Sequence, residues 1–593
     1  MVISEKTDGD RSRGLPTAPT TMQRWFPIGA WIKGYDWRTS SPADLIAAVS
    51  VAALLIPESM GMASVAGVPS EIGLYAAPLA LVMYAMFGGS KLLVFAVGGS
   101  VAAVSASVVG DLAGGDKDTA VAMTAGLALA TGAVFVVAGL AKMGWITNFI
   151  SKAVMAGFIV GLSIQVIVGQ FGKLFGVDQS GDNTFSKLWS VISDVGDWTW
   201  AAAAIGVGSL VLIFAIQRFA PKLPAALAAV VITSLIVAIL DPDIDLVAEI
   251  PEGLPSFGLP SGISASDWLT LVLGGCVVAL VGFSEGWGAS KQIAVKTHDD
   301  LDTNQEFRAY GAGNIGAGLL GGMVVTGSLS KSSAAESAGA KSQMTSIFLA
   351  AVVLLVLAFL APAFQWLPEA ALAAIVINAM SGSANPSELK TIWKIDRIDL
   401  IFGMATLLVV LAFDLLPAMI TGIVLSVVYM VYRVSFPGRA LLGVDPKSGE
   451  YVAKRWLFHG RTGESHQDAT VTPGVIVFRF AAPLIFSNAE AFTKTGQQLL
   501  IDAAADDDFP KALVIDFEEV YEVDSTGAAA VTSLFDYAHR YGVELVLARV
   551  HSAAYELLKL AGVVDELGEQ RFQNTIHEAV AAVSVPGPGT QPE

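Results

Sequence analysis

Between Ala43 and about Tyr432 the sequence is a succession of long apolar runs separated by short polar breaks. A helix rises 1.5 Å per residue, so about 20 apolar residues cross the roughly 30 Å of hydrocarbon in a bilayer. Repeated runs of that length leave the chain one stable environment, a membrane crossed many times. The composition agrees: 54% of the 593 residues are apolar and 15% are charged, whereas soluble domains carry about 25% charged residues. A water-soluble multidomain enzyme, a disordered chain and a disulfide scaffold are excluded. The one cysteine, Cys276, lies in an apolar run and can form no intramolecular disulfide. A net charge of −18 offers no basic face to nucleic acid. Residues 1–40 are polar and contain no apolar signal-peptide core.

Fourteen apolar runs are expected as spans, near 42–66, 72–88, 98–111, 119–141, 146–170, 198–218, 222–240, 268–292, 305–323, 327–340, 342–361, 366–380, 397–412 and 415–433. Runs 98–111 and 327–340 are too short to cross and are rich in Gly and Ser. Broken backbone at membrane depth is tolerated where it is buried in protein or lines an aqueous cavity. The segment Asp241–Asp267 carries only acidic charges, and Lys91, Lys142, Arg218, Lys222, Lys291, Lys296, Lys390, Lys394, Arg397 and Arg433 flank the other side. By the positive-inside rule both termini are expected in the cytoplasm, consistent with an even number of spans.

The halves repeat. Glu58 stands in the first span, in Pro57-Glu58-Ser59-Met60-Gly61, and Glu285 in the eighth, in Ser284-Glu285-Gly286-Trp287, 227 residues later. Gly98-Gly99-Ser100 opens the third span and Thr326-Gly327-Ser328 the tenth, with the serines 228 residues apart. A shared offset marks a duplicated unit of seven spans, and an odd number inverts the second copy. Inverted repeats with matching broken helices point to a transporter's binding site.

A helix N-terminus presents unpaired N–H groups and partial positive charge, which suits an anion. If the third and tenth segments both begin near the midplane, Ser100, Val101, Ser328, Leu329, Ser330 and Lys331 surround one point. Lys331, in a first helical turn, is expected to balance a bound anion; the alternative is a lysine that snorkels to the interface or pairs with Glu336. Glu58 and Glu285 are candidates to carry a coupled proton or Na⁺; the alternative is that they hydrogen-bond broken backbone. Gln165 and Asn314 read as residues joining helices.

The run Pro57-Glu58-Ser59-Met60-Gly61-Met62-Ala63, with Ala66-Gly67-Val68-Pro69 and Gly73-Leu74-Tyr75, resembles the first-span signature of the SulP anion permeases, bacterial relatives of the animal sulfate transporters, anion exchangers and the cochlear motor protein. Asn304-Gln305-Glu306, Gly313-Asn314-Ile315 and Thr326–Ser332 extend the resemblance. It implies a seven-plus-seven inverted repeat like that of the uracil permeases, with core and gate domains moving in an elevator-like cycle and the anion between segments three and ten. Ser330 and Lys331 fall at the family's serine and basic residue, the latter usually Arg in animal members; Lys keeps the charge and loses the two-pronged donor. Glu285 matches an acidic residue used for coupling in some proton-coupled members. Glu58 departs from the family's usual Gln.

From about Pro437 the chain reads as soluble. Residues 437–593 carry 12 Lys+Arg and 22 Asp+Glu, more than half of the charge imbalance. Strands are expected at 474–484, 511–517 and 543–550 and helices near 488–503, 527–541 and 552–562, an α/β sandwich. Val523-Asp524-Ser525-Thr526-Gly527 resembles the motif of the STAS domain, whose first Ser is phosphorylated in anti-sigma-factor antagonists. Ser525 is thus either a regulatory site or part of a helix cap. The expected layout is an N-terminal segment 1–40, a permease 41–435, a linker 436–471, a STAS domain 472–585 and a tail 586–593.

These readings lead to a bacterial plasma-membrane transporter, a likeness-implied homodimer importing sulfate with a proton and needing no cofactor beyond H⁺ or Na⁺. A cytoplasmic protein partner at the STAS domain is a further expectation. Na⁺-coupled bicarbonate, H⁺-coupled dicarboxylate, an uncoupled channel or voltage-responsive motor, and a membrane receptor remain as alternatives. With one Cys, six His and no catalytic spacing among them, an enzyme is not expected.

Overall fold

The computed structural model describes residues 25–584 apart from 146–150, 182, 221–222, 248–253, 298, 300, 384–386, 414, 458–465 and 506–508. Most of the expected N-terminal segment, the tail 586–593, Lys222, Glu249 and Glu252 lie outside the described residues. The chain divides into two units, Met1–Ser426 and Val427–Glu593.

Among the described residues, helices stand at all fourteen apolar runs. They are α1 (Ser40–Val65), α2 (Ser70–Phe87, interrupted at Ala76), α3 (Gly99–Ala113), α4 (Lys117–Leu140), α5 (Lys152–Gly169), α6 (Trp200–Phe219) and α7 (Ala225–Leu240). The second seven are α8 (Ala265–Thr297), α9 (Thr303–Leu319), α10 (Leu329–Ser337), α11 (Met344–Phe359), α12 (Glu369–Ser383), α13 (Arg397–Ala412) and α14 (Leu415–Ser435). The two short runs are short helices of 15 and 9 residues, α3 and α10. Each follows a three-residue strand, β1 (Val94–Ala96) or β2 (Thr326–Ser328), that the sequence reading did not contain.

β1 and β2 pair antiparallel, Val94 with Ser328, Phe95 with Gly327 and Ala96 with Thr326. Equivalent strands running antiparallel about one centre are what a two-fold relation between the halves requires. Helix packing repeats the symmetry: α9 on α4 matches α2 on α11, α8 on α3 matches α1 on α10, and α13 on α5 matches α6 on α12. Helices α1–α4 with α8–α11 form one packed group and α5–α7 with α12–α13 another, meeting where α1 packs on α7 and α12 and where α3 packs on α5 and α12. The α1 span is 67% buried inside the protein and that of α6 only 28%, so α1 is central and α6 presents its apolar face to lipid.

Buried carboxylates brace the first group. Asp44 at the start of α1 accepts from Lys341 N at 2.6 Å, Ser342 Oγ, Thr345 Oγ1 and Tyr35 Oη, so it caps the turn before α11. Burial and the neighbouring Asp44 carboxylate push the Tyr35 phenol well above its usual range. Glu306 accepts from Tyr84 Oη at 2.9 Å and Gly89 N at 2.7 Å, fixing the turn that leads into β1.

The second unit holds a six-stranded sheet in the order β4-β3-β5-β6-β7-β8. Its strands are β3 (Gly438–Val444), β4 (Tyr451–Trp456), β5 (Val475–Ala481), β6 (Ala512–Asp516), β7 (Glu544–Ala548) and β8 (Phe572–Gln573). β5 to β8 run parallel, and β3 joins them antiparallel. Helices α15 (Ala489–Ala505), α16 (Ser525–Arg540) and α17 (Ser552–Leu560) cover one face, and α18 (Ile576–Ser584) the other. The expected linker 436–471 is corrected: β3 and β4 belong to the sheet. A turn held by Asp445, which accepts from Ser448 Oγ at 2.8 Å, folds them into a hairpin. Asp516, fully buried at the end of β6, is gripped by Arg479 Nε at 2.6 Å and by Arg549 Nε and Nη2 at 2.9 and 2.6 Å. Arg549 adopts φ +58, a left-handed turn that folds its guanidinium back onto this carboxylate. Asp516→Ala leaves two guanidinia without it, and a loss of about 3 kcal/mol is expected in the protection of β6 amides by hydrogen exchange on the full chain.

Candidate functional site

The site grows from the β1–β2 pair. Ser332 Oγ accepts from Val94 N at 2.8 Å and donates to Ser328 O at 2.6 Å, tying α10 to the opposite strand. Asn314 on α9, expected to join helices, instead bonds extended chain: its amide accepts from Val325 N at 2.9 Å and donates to Val325 O at 3.0 Å, so the chain entering β2 has its polar groups satisfied. Thr326 Oγ1 donates to Gly282 O on α8. α8 can lie this close because Gly286 has no side chain; a Cβ there would meet Tyr310 Oη at 2.1 Å and Gly327 N at 2.8 Å. The first turns of α3 and α10 therefore start next to one another inside the protein, each with N–H groups that no helical carbonyl takes.

Lys331 lies in that first turn of α10 with its side chain wholly buried. Its Nζ donates to Glu58 Oε1 at 2.7 Å and to Val97 O at 3.3 Å. The alternative pairing with Glu336 is overturned, since Glu336 accepts from Lys296 at 2.8 Å. A side chain in the first turn leans back toward the helix N-terminus, away from a residue five positions on. Glu285 on α8 accepts from Ser100 Oγ in the first turn of α3. Both carboxylates and the ammonium are thus gathered where the two half-helices begin.

The other candidate residues divide. Ser328 caps α10 and contacts Ser330 Oγ at 3.2 Å. Val101 is buried, and its side chain packs toward Gly282, so it offers the site only its backbone N–H. Leu329 and Ser330 are exposed at the open end of the turn. Ser525 is exposed at the start of α16, and the cap of that helix is Asp524, which accepts from Gly527 N and Phe486 N at 2.7 Å each. Among the described residues no group of three His, Cys, Asp or Glu is placed to hold a metal.

Lys173 was not singled out from sequence. Its Nζ donates to Ser64 Oγ on the turn ending α1 and lies 3.4 Å from Glu369 at the start of α12. These residues, with Pro69 and Lys117, line a cavity of about 240 Å³. Ser64 is six residues beyond Glu58, about 9 Å along the helix. The available signal was charge: Lys117 and Lys173 are basic residues on the face that the sequence assigns to acidic loops.

Two inverted half-helices whose positive ends meet around buried charged residues define an anion transporter embedded in a membrane. The sulfate permease family model matches residues 42–431, and the STAS domain model residues 466–579. The chain belongs to the sulfate permease family and carries its C-terminal STAS domain; it is not an enzyme. A probable sulfate transporter of Mycobacterium tuberculosis is 30% identical over 575 residues, spanning 96% of this chain and 99% of that one. A chloroplastic sulfate transporter of Arabidopsis thaliana is 25% identical across 94% of this chain and 82% of its own length. Among solved structures, the murine Solute Carrier 26 family member A9 anion transporter in the inward-facing state matches at TM-score 0.84 with 20% identity, covering 98% of this chain and all of that one. The transmembrane domain of a cyanobacterial bicarbonate transporter matches at TM-score 0.57 with 21% identity over 66% of this chain and 98% of that one.

Lys331→Met strands Glu58 in a dry interior and is expected to lower stability by about 3 kcal/mol, read as a lower melting temperature of the purified protein. Adding Glu58→Gln removes the stranded charge, and most of the loss is expected to return in the double variant.

Proposed function

We propose that this chain imports sulfate together with protons across a bacterial plasma membrane. The observation that carries the reading is the buried Lys331–Glu58 pair at the head of α10. The ammonium that could meet an anion is here met by a carboxylate. An arriving oxyanion must displace Glu58, and two carboxylates beside it repel it. A proton on Glu58 frees Lys331, and a proton on Glu285 removes the second repulsion, so anion and protons each strengthen the binding of the other. Lysine presents its charge as a compact donor, while the N–H groups of both half-helices and the hydroxyls of Ser100, Ser328 and Ser330 supply directional donors to a tetrahedral oxyanion. The sulfate-transporter names of relatives aligned along nearly the whole chain favour sulfate among the anions.

Movement is read as an elevator-like shift of the α1–α4/α8–α11 group against the other. The contact between them is tight at two glycines: a Cβ on Gly61 would meet Val376 at 2.6 Å, and one on Gly99 would meet Met380 at 2.1 Å. At these two points smooth backbone against apolar side chains can slide without breaking polar bonds, while Lys173 donates to Ser64 across the same boundary. A dimer, a STAS-bound partner and phosphorylation of Ser525 complete the reading as expectations.

In proteoliposomes holding the full chain, labelled sulfate is expected to accumulate above its external concentration when the outside is acidic, with no Na⁺ present. The double variant Glu58→Gln/Glu285→Gln is expected to equilibrate sulfate without accumulation. Accumulation driven only by a Na⁺ gradient would overturn the proton reading, and uptake of bicarbonate or succinate with none of sulfate would overturn the substrate.

A further inference from the structure

The charges gathered at the half-helices fix a quantity beyond coupling itself: how many protons travel with each anion. With both carboxylates ionised, Lys331 supplies one positive charge and Glu58 and Glu285 two negative ones, each carboxylate accepting a hydrogen bond from its partner. The excess is one negative charge. The N-terminus of a helix carries the equivalent of about half a positive charge, and two of them, on α3 and α10, meet here. They offset the excess, so the protein groups by themselves sum close to neutral.

Among the described residues, the neighbouring α3, α9, α10 and α12 contribute no further balancing charge. Glu285 is within electrostatic reach of both Lys331 and Glu58, so the three act as one cluster. From α9 the facing titratable group is Tyr310, neutral as a phenol, beside Gly286 and Gly327. Glu306, one turn earlier on α9, is taken up by Tyr84 and Gly89. On α10, Glu336 is held by Lys296. From α12 the neighbours Leu372, Val376 and Met380 are apolar, and α3 presents Ser100 and Val101.

A low-dielectric site whose own groups sum to neutral is costly to carry with an anion unless it is neutral again, because an uncompensated charge in such a medium loses its hydration. We infer that the moving group crosses the membrane at constant charge, so that the number of protons bound with an anion equals that anion's own charge. The inference rests on the proton-coupled reading above. Sulfate then takes two protons, one on Glu58 and one on Glu285, and the cycle moves no net charge. A monovalent anion takes one. Each carboxylate holds one proton and no more, so two is also the upper limit.

The experiment is the equilibrium accumulation of labelled sulfate, succinate and nitrate by the full chain in liposomes, at a set pH gradient and under potassium diffusion potentials of either sign. Two protons per sulfate give an accumulation of about 100-fold for each pH unit, the square of the tenfold proton ratio, unchanged by the potential. Succinate, where carried as its dianion, follows sulfate, and nitrate, where carried, reaches about tenfold. Glu285→Gln or Glu58→Gln, whichever gives folded protein, is expected to reduce sulfate to about tenfold per pH unit and to make it respond to potential. Wild-type sulfate at about tenfold per pH unit with voltage dependence would overturn the constant-charge rule and leave proton coupling standing. Absence of pH-driven accumulation for all three anions would overturn coupling and the rule together.

Discussion

Backbone polar groups at membrane depth have no water to turn to, and from that constraint much of this molecule follows. A helix that begins in the middle of the bilayer must be reached by extended chain, and extended chain leaves every other N–H and C=O without a partner. Here two such approaches, Val94–Ala96 and Thr326–Ser328, satisfy each other. Asn314 completes the second of them, and Ser332 binds its helix back to the first. Neither half could supply this alone. The duplication provides the hydrogen-bonding partner that makes a broken helix tolerable, and the broken helices bring a concentrated positive field into a largely apolar interior.

Side-chain charges enter that field at a cost set by desolvation. Lys331 is fully buried and Glu58 nearly so, and neither would be sustained alone. Their pairing joins α10 to α1, helices from opposite halves of the chain. Under the proposed function, affinity and coupling become two descriptions of one exchange, in which a carboxylate and a substrate compete for one ammonium.

Much of this was legible in the sequence, and the reason is periodicity and composition. Long apolar runs announce membrane helices without reference to partners. The Gly98-Gly99-Ser100 and Thr326-Gly327-Ser328 steps announce helices too short to cross. Strands β5, β6 and β7 are dense in Val, Ile and Leu and read as buried strands. What was hidden depends on contacts between distant positions. Glu58 and Lys331 are 273 residues apart, and nothing local links them. β1 and β2 have three residues each, too few for any alternation to register. Hairpin β3–β4 was passed over as linker, although Asp445-Pro446-Lys447-Ser448-Gly449 between its strands is turn chemistry. The bracing by Asp44 and Glu306 was hidden because a buried carboxylate that caps a distant turn has no signature in its own neighbourhood.

The lysine at the mouth has a kinetic meaning. Lys173 and its partner Glu369 both belong to the α5–α12 group, while Ser64 belongs to α1. When the two groups part, the ion pair stays whole and the serine contact alone is lost. Such a bond is worth about 2 kcal/mol. Under the proposed elevator-like movement, this rim of the cavity is therefore a light closure.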